Sequence, residues 1–279
     1  METFIITGMP KVFLHQNLLS MKYELLNFLT FMNLQNQKRA VIVGATSGIG
    51  YETACLLLKE GWILGIAGRR EGLLKAFQRK APARIYYRVI DIRKENAPIE
   101  LEALITDLGG MDLYLHCSGI GHQNYNLDAD IETDTVQTNV VGFTRMVDAA
   151  FRYFGNRGEG HIAVISSIAG TKGLGIAPAY SATKRYQNTY IDALEQLACM
   201  HGWTGICFTD IRPGFVQTDL LNDGKHYPFL MRPGKVARCI VRAIHRKQRM
   251  VVIDWRYRLL VGAWRLLPRW LWKRLPVKN

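Results

Sequence analysis

The residues best suited to chemistry lie in the second half of the chain. Tyr180 and Lys184 stand four apart in the run YSATK, at the start of a stretch that reads as a helix from about 179 to 200. Residues four apart share one helix face, so a phenol and an ammonium can point into one cleft. A free tyrosine titrates near pH ~10 and is a poor acid–base catalyst at neutrality. A neighbouring cation favours the phenolate and lowers that value. The pair can then give a proton to an alkoxide forming from a carbonyl. Ser167 lies upstream, at the end of the preceding apolar run, where its hydroxyl can hold the carbonyl oxygen. Each feature alone is also what an ordinary surface helix shows.

A second constellation lies near the front. Ala40-Val41-Ile42-Val43 reads as a buried parallel strand, followed by Gly44, Gly48 and Gly50. A helix is predicted over 51–60, with Ala54, Leu57 and Leu58 at helical spacing. Strand, glycine turn and helix aim a helix N-terminus at a phosphate. Gly44 permits the tight turn, Gly48 lets the backbone approach a pyrophosphate, and Gly50 lets the helix pack close to the sheet. The spacing is GxxxGxG rather than GxGxxG, and a plain glycine-rich turn is the competing reading.

The elements that position these residues alternate. Strands are predicted over 62–67, 85–90, 112–117, 161–165, 205–211 and 250–253. Helices are predicted over about 71–80, 100–107, 131–154, 179–200 and 234–246. This alternation implies one doubly wound, Rossmann-type parallel sheet with helices on both faces, an α/β fold. Ligands belong beyond the carboxyl ends of the strands, where Gly44, Asp91, Gly119, Ser167 and Pro213 fall. Three segments follow: an extension over 1–37 whose simplest reading is irrelevance to the fold, a domain over 38–253, and a tail over 254–279.

Bulk properties bound the rest. The chain has 279 residues, enough for a full core, and 48% hydrophobic residues. Cys55, Cys117, Cys199, Cys207 and Cys239 form no metal-like cluster, and their odd number suits a reduced, cytoplasmic setting. No apolar run is long enough to span a membrane, and residues 1–37 lack the pattern of a signal peptide. The formal charge is +13, and most of it belongs to the last 34 residues, with ten Lys/Arg against Asp254 alone. That suits an anionic surface more than an anionic active site.

Taken together, these motifs in this order resemble a short-chain dehydrogenase/reductase of the compact type, over about 38–253. The carriers are GATSGIG from Gly44 to Gly50, Asp91, Asn139, Ser167, YSATK from Tyr180 to Lys184, and PGFVQT from Pro213 to Thr218. The resemblance implies Tyr180 as general acid/base and Lys184 as the group that tunes it and holds the nicotinamide ribose. It implies that Ser167 binds the substrate oxygen and that Asn139 holds a water in the proton relay. Thr46, Ser47 and Ile49 belong to the phosphate-cradling run. Asp91 and Ile92 meet the adenine, and Pro213, Gly214, Val216 and Thr218 line the nicotinamide. A mid-helix Asn139 facing solvent is the plain alternative. Two departures stand out: the family's NNAG is His116-Cys117-Ser118-Gly119 here, which loses a bracing amide, and its usual Thr before the first glycine is Val43.

The cofactor expectation is NADP(H). NAD binders place an acid about 20 residues after the glycines. Here Gly68-Arg69-Arg70 stands there, and a guanidinium pair suits a 2′-phosphate; the alternative is a pair of solvated helix-start arginines. The expected reaction is interconversion of a carbonyl and an alcohol on a hydrophobic small molecule. A non-catalytic dinucleotide-binding sensor or scaffold is the alternative, which an intact Tyr/Lys/Ser/Asn set argues against. No recognisable nucleic-acid module is present. A lid is expected over 219–232, with Leu174, Ile176, Leu220, Leu221, Tyr227, Phe229 and Met231 as an apolar lining or a packed loop. Phe143, Met146, Leu194 and Leu197 are expected at a homodimer or homotetramer seam.

The tail holds Trp255, Trp264, Trp270 and Trp272. Arg258, Arg265, Arg269 and Lys273 form a basic stripe on a helix that Pro268 kinks without ending. Leu260, Trp264, Leu267, Leu271 and Leu275 form an apolar face. The pattern predicts an amphipathic helix lying on an anionic membrane surface, peripheral on the inner face. A helix that covers the core is the alternative.

Overall fold

The computed structural model describes residues 21–22, 37–221, 227–275 and 277. The chain divides into two units, Met1–Gln37 and Lys38–Asn279. The expectation for the extension, and the stretch 222–226 of the expected lid, lie outside the described residues.

The second unit is built on a seven-stranded sheet in the order β3-β2-β1-β4-β5-β6-β7. The strands are β1 Arg39–Val43, β2 Ile63–Gly68, β3 Ile85–Val89, β4 Leu113–His116, β5 Glu159–Ile165, β6 Gly205–Arg212 and β7 Met250–Val252. Every pairing is parallel. Parallel strands covered on both faces must be apolar throughout, and β2 (Ile-Leu-Gly-Ile-Ala-Gly) is buried along its whole length.

The crossovers are helices α1 Gly48–Lys59, α2 Glu71–Gln78, α3 Ala97–Leu108, α4 Ala129–Val136, α5 Phe143–Arg157, α6 Pro178–Met200 and α7 Pro233–His245. One core layer joins Leu57, Leu74, Phe77, Val236 and Ile240 to the sheet. The other joins Leu101, Leu104, Phe143, Phe154, Ile191 and Leu194. The strand order reverses between β1 and β4, so the crevice for a ligand lies at their carboxyl ends.

Three expectations change. The predicted helix over 131–154 is one helical run from Ala129 to Arg157, but it widens into a π-helical turn over Gln137–Gly142 that holds Asn139. Such turns insert one residue and re-aim side chains at functional positions. Phe143, Met146 and Leu194 do not form an oligomer seam: they are 0%, 0% and 6% exposed and belong to the core, leaving only Leu197 at the surface. Their helical spacing is apolar because it faces the sheet, and periodicity alone cannot tell a core face from a seam.

The third change is the tail. It forms α8 Trp255–Leu266 and a single further turn, α9 Arg269–Trp272. Pro268 ends α8 instead of kinking it, since Leu267 before it is extended (φ −66°, ψ 124°) as a residue preceding proline must be. The basic stripe therefore does not run along one continuous helix. Trp264 was expected on the lipid-facing side; it is buried with Tyr257 and Val261 in the core layer. Its indole N–H donates to Thr171 Oγ1 at 2.8 Å. The Trp272 indole donates to the Gly173 carbonyl at 2.9 Å, and Lys172 Nζ donates to the Leu267 carbonyl at 3.0 Å. The tail is strapped to the loop after β5.

Candidate active site

The glycine turn has the backbone that the sequence requires. Gly44 has φ +92°, and a Cβ there would lie 2.7 Å from Ser118 N. A Cβ on Gly50 would lie 2.2 Å from the Gly44 carbonyl oxygen, so only glycine lets α1 start this close to β1. Thr46, Ser47, Gly48 and Ile49 complete the turn at the α1 N-terminus, where amide N–H groups point outward.

Arg70 crosses this turn. Its guanidinium donates to Thr46 Oγ1 at 2.8 Å and Ser47 Oγ at 2.7 Å, and meets Asp219 at 3.5 Å. Half of its side chain stays exposed. Arg69 lines a cavity of about 300 Å³ with Ile90, Asp91 and Asn96. Asp91 is gripped by Arg93, which the sequence reading missed; the guanidinium bonds both carboxylate oxygens and holds the carboxyl below its usual range, against the opposing effect of burial. The Ile92 side chain is buried.

On the other side of the crevice, α6 carries Tyr180 and Lys184. Pro178 begins the helix, and Glu132 of α4 accepts the Ala179 N–H at 2.9 Å. Asn124 holds the other Glu132 oxygen at 2.8 Å. This clamp holds the first turn of the helix at Ala179, one residue before Tyr180. The loop after β4 closes over the pair. A Cβ on Gly121 would lie 2.5 Å from the Tyr180 ring, and one on Gly119 would lie 3.6 Å from Lys184 Nζ.

Lys184 is buried, and its ammonium donates to the Ile165 carbonyl at 3.1 Å and Gln187 Oε1 at 3.0 Å. Burial lowers its pKa to about 8, while the Asp210 carboxylate acts to raise it. The ammonium lies 5.8 Å from the centre of the Tyr180 ring. The expected lowering of the tyrosine pKa by this cation is not what dominates. Burial raises Tyr180, and a hydrogen bond with Ser167 acts against that rise.

Asn139 does not face solvent. It is fully buried, accepts the Ile120 N–H at 2.9 Å, and donates to the Ile120 carbonyl at 2.6 Å and Thr183 Oγ1 at 3.2 Å. Its side chain therefore pins the loop after β4 to α6. Its own carbonyl accepts Gln187 Nε2 at 2.9 Å. Gln187 thus bridges Lys184 and Asn139, a role invisible in the sequence because glutamine three residues after a lysine is an ordinary helix pattern. Where the family's first amide is absent stands His116, on β4. Its buried ring meets Tyr114 Oη at 2.9 Å and stands edge-on to Phe143, and burial lowers its pKa to about 3, so it is neutral.

Beneath these groups lies a buried polar cluster that sequence reasoning also missed. Asp210 pairs with Arg212 and accepts from Asn188 at 3.0 Å, and Ser166 donates to it as well. All four are nearly inaccessible, so each depends on the others for satisfaction.

The run from Pro213 to Thr218 joins the two halves. The Pro213 carbonyl accepts the Ile168 N–H at 3.1 Å, beside Ser167. Ser167 Oγ accepts the Ala169 N–H at 3.1 Å. At the far end, Thr218 Cγ2 lies 3.0 Å from where a Cβ on Gly48 would be. Tyr257 of the tail packs over Gly214, accepts the Phe215 N–H at 3.1 Å and donates to the Pro228 carbonyl at 2.8 Å. Val216 is buried, and its carbonyl accepts from Thr218 Oγ1 at 3.3 Å. Tyr227 and Met231, expected to line a substrate pocket, are core residues at 5% and 2% exposure. A second cavity, of about 600 Å³, lies between Gly170–Gly175 and Pro178, Ser181, Ala182 and Arg185. Those α6 positions centre about 130° around the helix from Tyr180 and Lys184, with Ser181 nearest to them.

A doubly wound sheet with a glycine turn at its switch point and a Tyr/Lys/Ser cluster across the crevice points to the nucleotide-binding α/β class of proteins. The family profile described as short chain dehydrogenase matches residues 38–226, and the chain belongs to that family. An uncharacterized oxidoreductase of Myxococcus xanthus is 30% identical over 238 residues, covering 83% of this chain and 93% of its own. Dehydrogenase/reductase SDR family member 7B of Xenopus tropicalis is 28% identical over 239 residues, 76% of each chain. Among solved structures, an actinorhodin polyketide ketoreductase variant with NADPH superposes with a TM-score of 0.68 at 25% identity, covering 78% of this chain and 96% of its own. The protein is an oxidoreductase of the short-chain dehydrogenase type, NAD(P)-dependent by its fold.

Proposed function

We propose that this enzyme uses NADP(H) to interconvert a carbonyl and an alcohol on a hydrophobic small molecule. The observation that carries the reading is the convergence of Ser167, Tyr180 and Lys184 across the crevice from the glycine turn, with Pro213–Thr218 touching both sides.

The residues fit a dinucleotide. Gly44, Thr46, Ser47, Gly48, Ile49 and Gly50 cradle its phosphates at the N-terminus of α1. Arg69 and Arg70 take the 2′-phosphate; half of the Arg70 side chain is exposed, and its guanidinium already lies over Thr46 and Ser47 of the glycine turn. Asp91 and the Ile92 backbone face the adenine. Lys184 meets the ribose, and Pro213, Gly214, Val216 and Thr218 border the nicotinamide. When bound, the reduced cofactor supplies a hydride to the carbonyl carbon.

The protein's own part is proton chemistry. Ser167 holds the carbonyl oxygen, and Tyr180 gives that oxygen its phenolic proton as the alcohol forms. A phenol raised by burial keeps its proton at neutral pH, which suits reduction. Lys184 carries the positive charge that stabilises the resulting phenolate. Gln187 and the Ile165 carbonyl fix its ammonium, and Asp210 helps it stay charged. Asn139 acts by holding the loop after β4 against α6.

The test is NADPH consumption with a panel of hydrophobic aldehydes and ketones. Turnover of at least one member, faster with NADPH than NADH, supports the reading; no turnover with any member, beside tight NADPH binding, favours a sensor. We also propose a cytoplasmic, peripheral location on an anionic membrane, supported by the charge of the tail.

A further inference from the structure

The tail helix α8 is apolar on two opposite sides. Tyr257, Val261 and Trp264 face inward and are 1%, 6% and 8% exposed. Trp255, Leu259 and Leu266 are 66%, 64% and 86% exposed. At about 100° per residue these three fall within roughly 40° of one another, diametrically across from the buried set. Gly262 and Ala263 lie between them, so the outward stripe carries no polar side chain. A helix whose core-facing side is already filled has no packing reason to keep a Trp and two Leu in water.

The surroundings of the stripe are basic. Arg258 and Arg265 flank it on one side, and Arg269, Lys273 and Arg274 are exposed just beyond. No acid occurs between 255 and 275. The nearest, Asp254, is held by Lys235 and Arg256. A second copy of this face would set arginine against arginine. A surface that is apolar at depth and negative at its rim complements the stripe instead.

We propose that the outward stripe of α8, Trp255, Leu259 and Leu266, inserts into the headgroup layer of an anionic lipid surface, with Arg258, Arg265 and Arg269 on its phosphates. This deepens the peripheral reading above by exchanging the face: Trp264 stays in the core and the opposite side docks. The docked helix is the one whose Tyr257 braces Pro213–Thr218 and whose Trp264 braces Thr171, so the lipid plane lies beside the candidate active site.

The experiment is flotation of the full chain with phosphatidylcholine vesicles, with and without phosphatidylserine. It needs no turnover, so it fails or succeeds independently of the oxidoreductase reading. The wild-type protein is expected to float with the anionic vesicles only, and to be released by salt. Arg265→Gln with Arg269→Gln is expected to weaken binding about 25-fold, near fivefold per charge. Trp255→Ser, Leu259→Ser and Leu266→Ser together should weaken it at least about tenfold, with an unchanged melting curve because all three are exposed. As a second reading, brominated lipid should quench tryptophan fluorescence in the wild type, and less so in Trp255→Phe. Equal flotation of all variants, binding to neither vesicle, or no quenching overturns the proposal. A drop in the sedimentation mass of the triple variant without vesicle binding by the wild type assigns the stripe to a second copy and overturns it too.

Discussion

Replacing Trp264 by alanine separates the two sides of the tail most sharply. The indole is 8% exposed, belongs to the core layer with Ile240 and Val261, and meets Trp272 edge-on at 5.8 Å. Truncating a buried Trp costs about 3–5 kcal/mol in lost transfer energy and cavity formation. The bond to Thr171 is a smaller loss, about 1 kcal/mol, because that hydroxyl still donates to the Ile168 carbonyl. Against a total stability of about 5–15 kcal/mol this is a large fraction. For a chain of this size, each kcal/mol moves Tm by about 2–4 °C, so the loss of about 4–6 kcal/mol in all lowers Tm by roughly 8–24 °C. Trp270, 59% exposed, is the control; its truncation should stay within about 0.5 kcal/mol. Thermal melts followed by circular dichroism, with urea titration beside them, read both. Equal shifts for Trp264→Ala and Trp270→Ala, or no shift for either, would refute the inward packing of α8.

Two further outcomes follow from the cofactor side. Arg69→Asp with Arg70→Ser should weaken NADPH far more than NADH in fluorescence titrations; equal affinities in the unaltered protein would contradict the assignment of the 2′-phosphate to these arginines. Lys184 has its pKa lowered to about 8, so the protein keeps this charge below that value and loses it above. An anionic cofactor should therefore bind about tenfold more weakly at pH 9.5 than at pH 7, roughly one proton being taken up with it. Lys184→Met should flatten this dependence; a wild-type affinity independent of pH would remove Lys184 from the binding site.

The sheet was legible because buried parallel strands are apolar without a break and the helices between them repeat their apolar positions about every 3.6 residues; the turn from Gly44 to Gly50 was legible because its backbone tolerates only glycine at two of its positions. What escaped were residues whose meaning depends on distant partners. Gln187, Asp210 and Glu132 look like solvated polar residues until the fold brings Asn139, Arg212 and Ala179 to them. The tail misled for a related reason. A helix with apolar residues on two sides gives no sequence signal for which side the core takes, and the acceptor that satisfies the buried Trp264 N–H, Thr171, is 93 residues away in the chain. Phe143 and Met146 show the same ambiguity in reverse.

The central claim is that Tyr180 supplies the proton in a carbonyl reduction, and one substitution isolates it. Tyr180→Phe keeps the ring that packs against Gly121 and removes only the oxygen beside Ser167. With a carbonyl substrate found by NADPH consumption, kcat of Tyr180→Phe should fall by at least about a hundredfold, while the dissociation constant for NADPH stays within about a factor of two of wild type. Substantial turnover in Tyr180→Phe on that substrate would contradict the account.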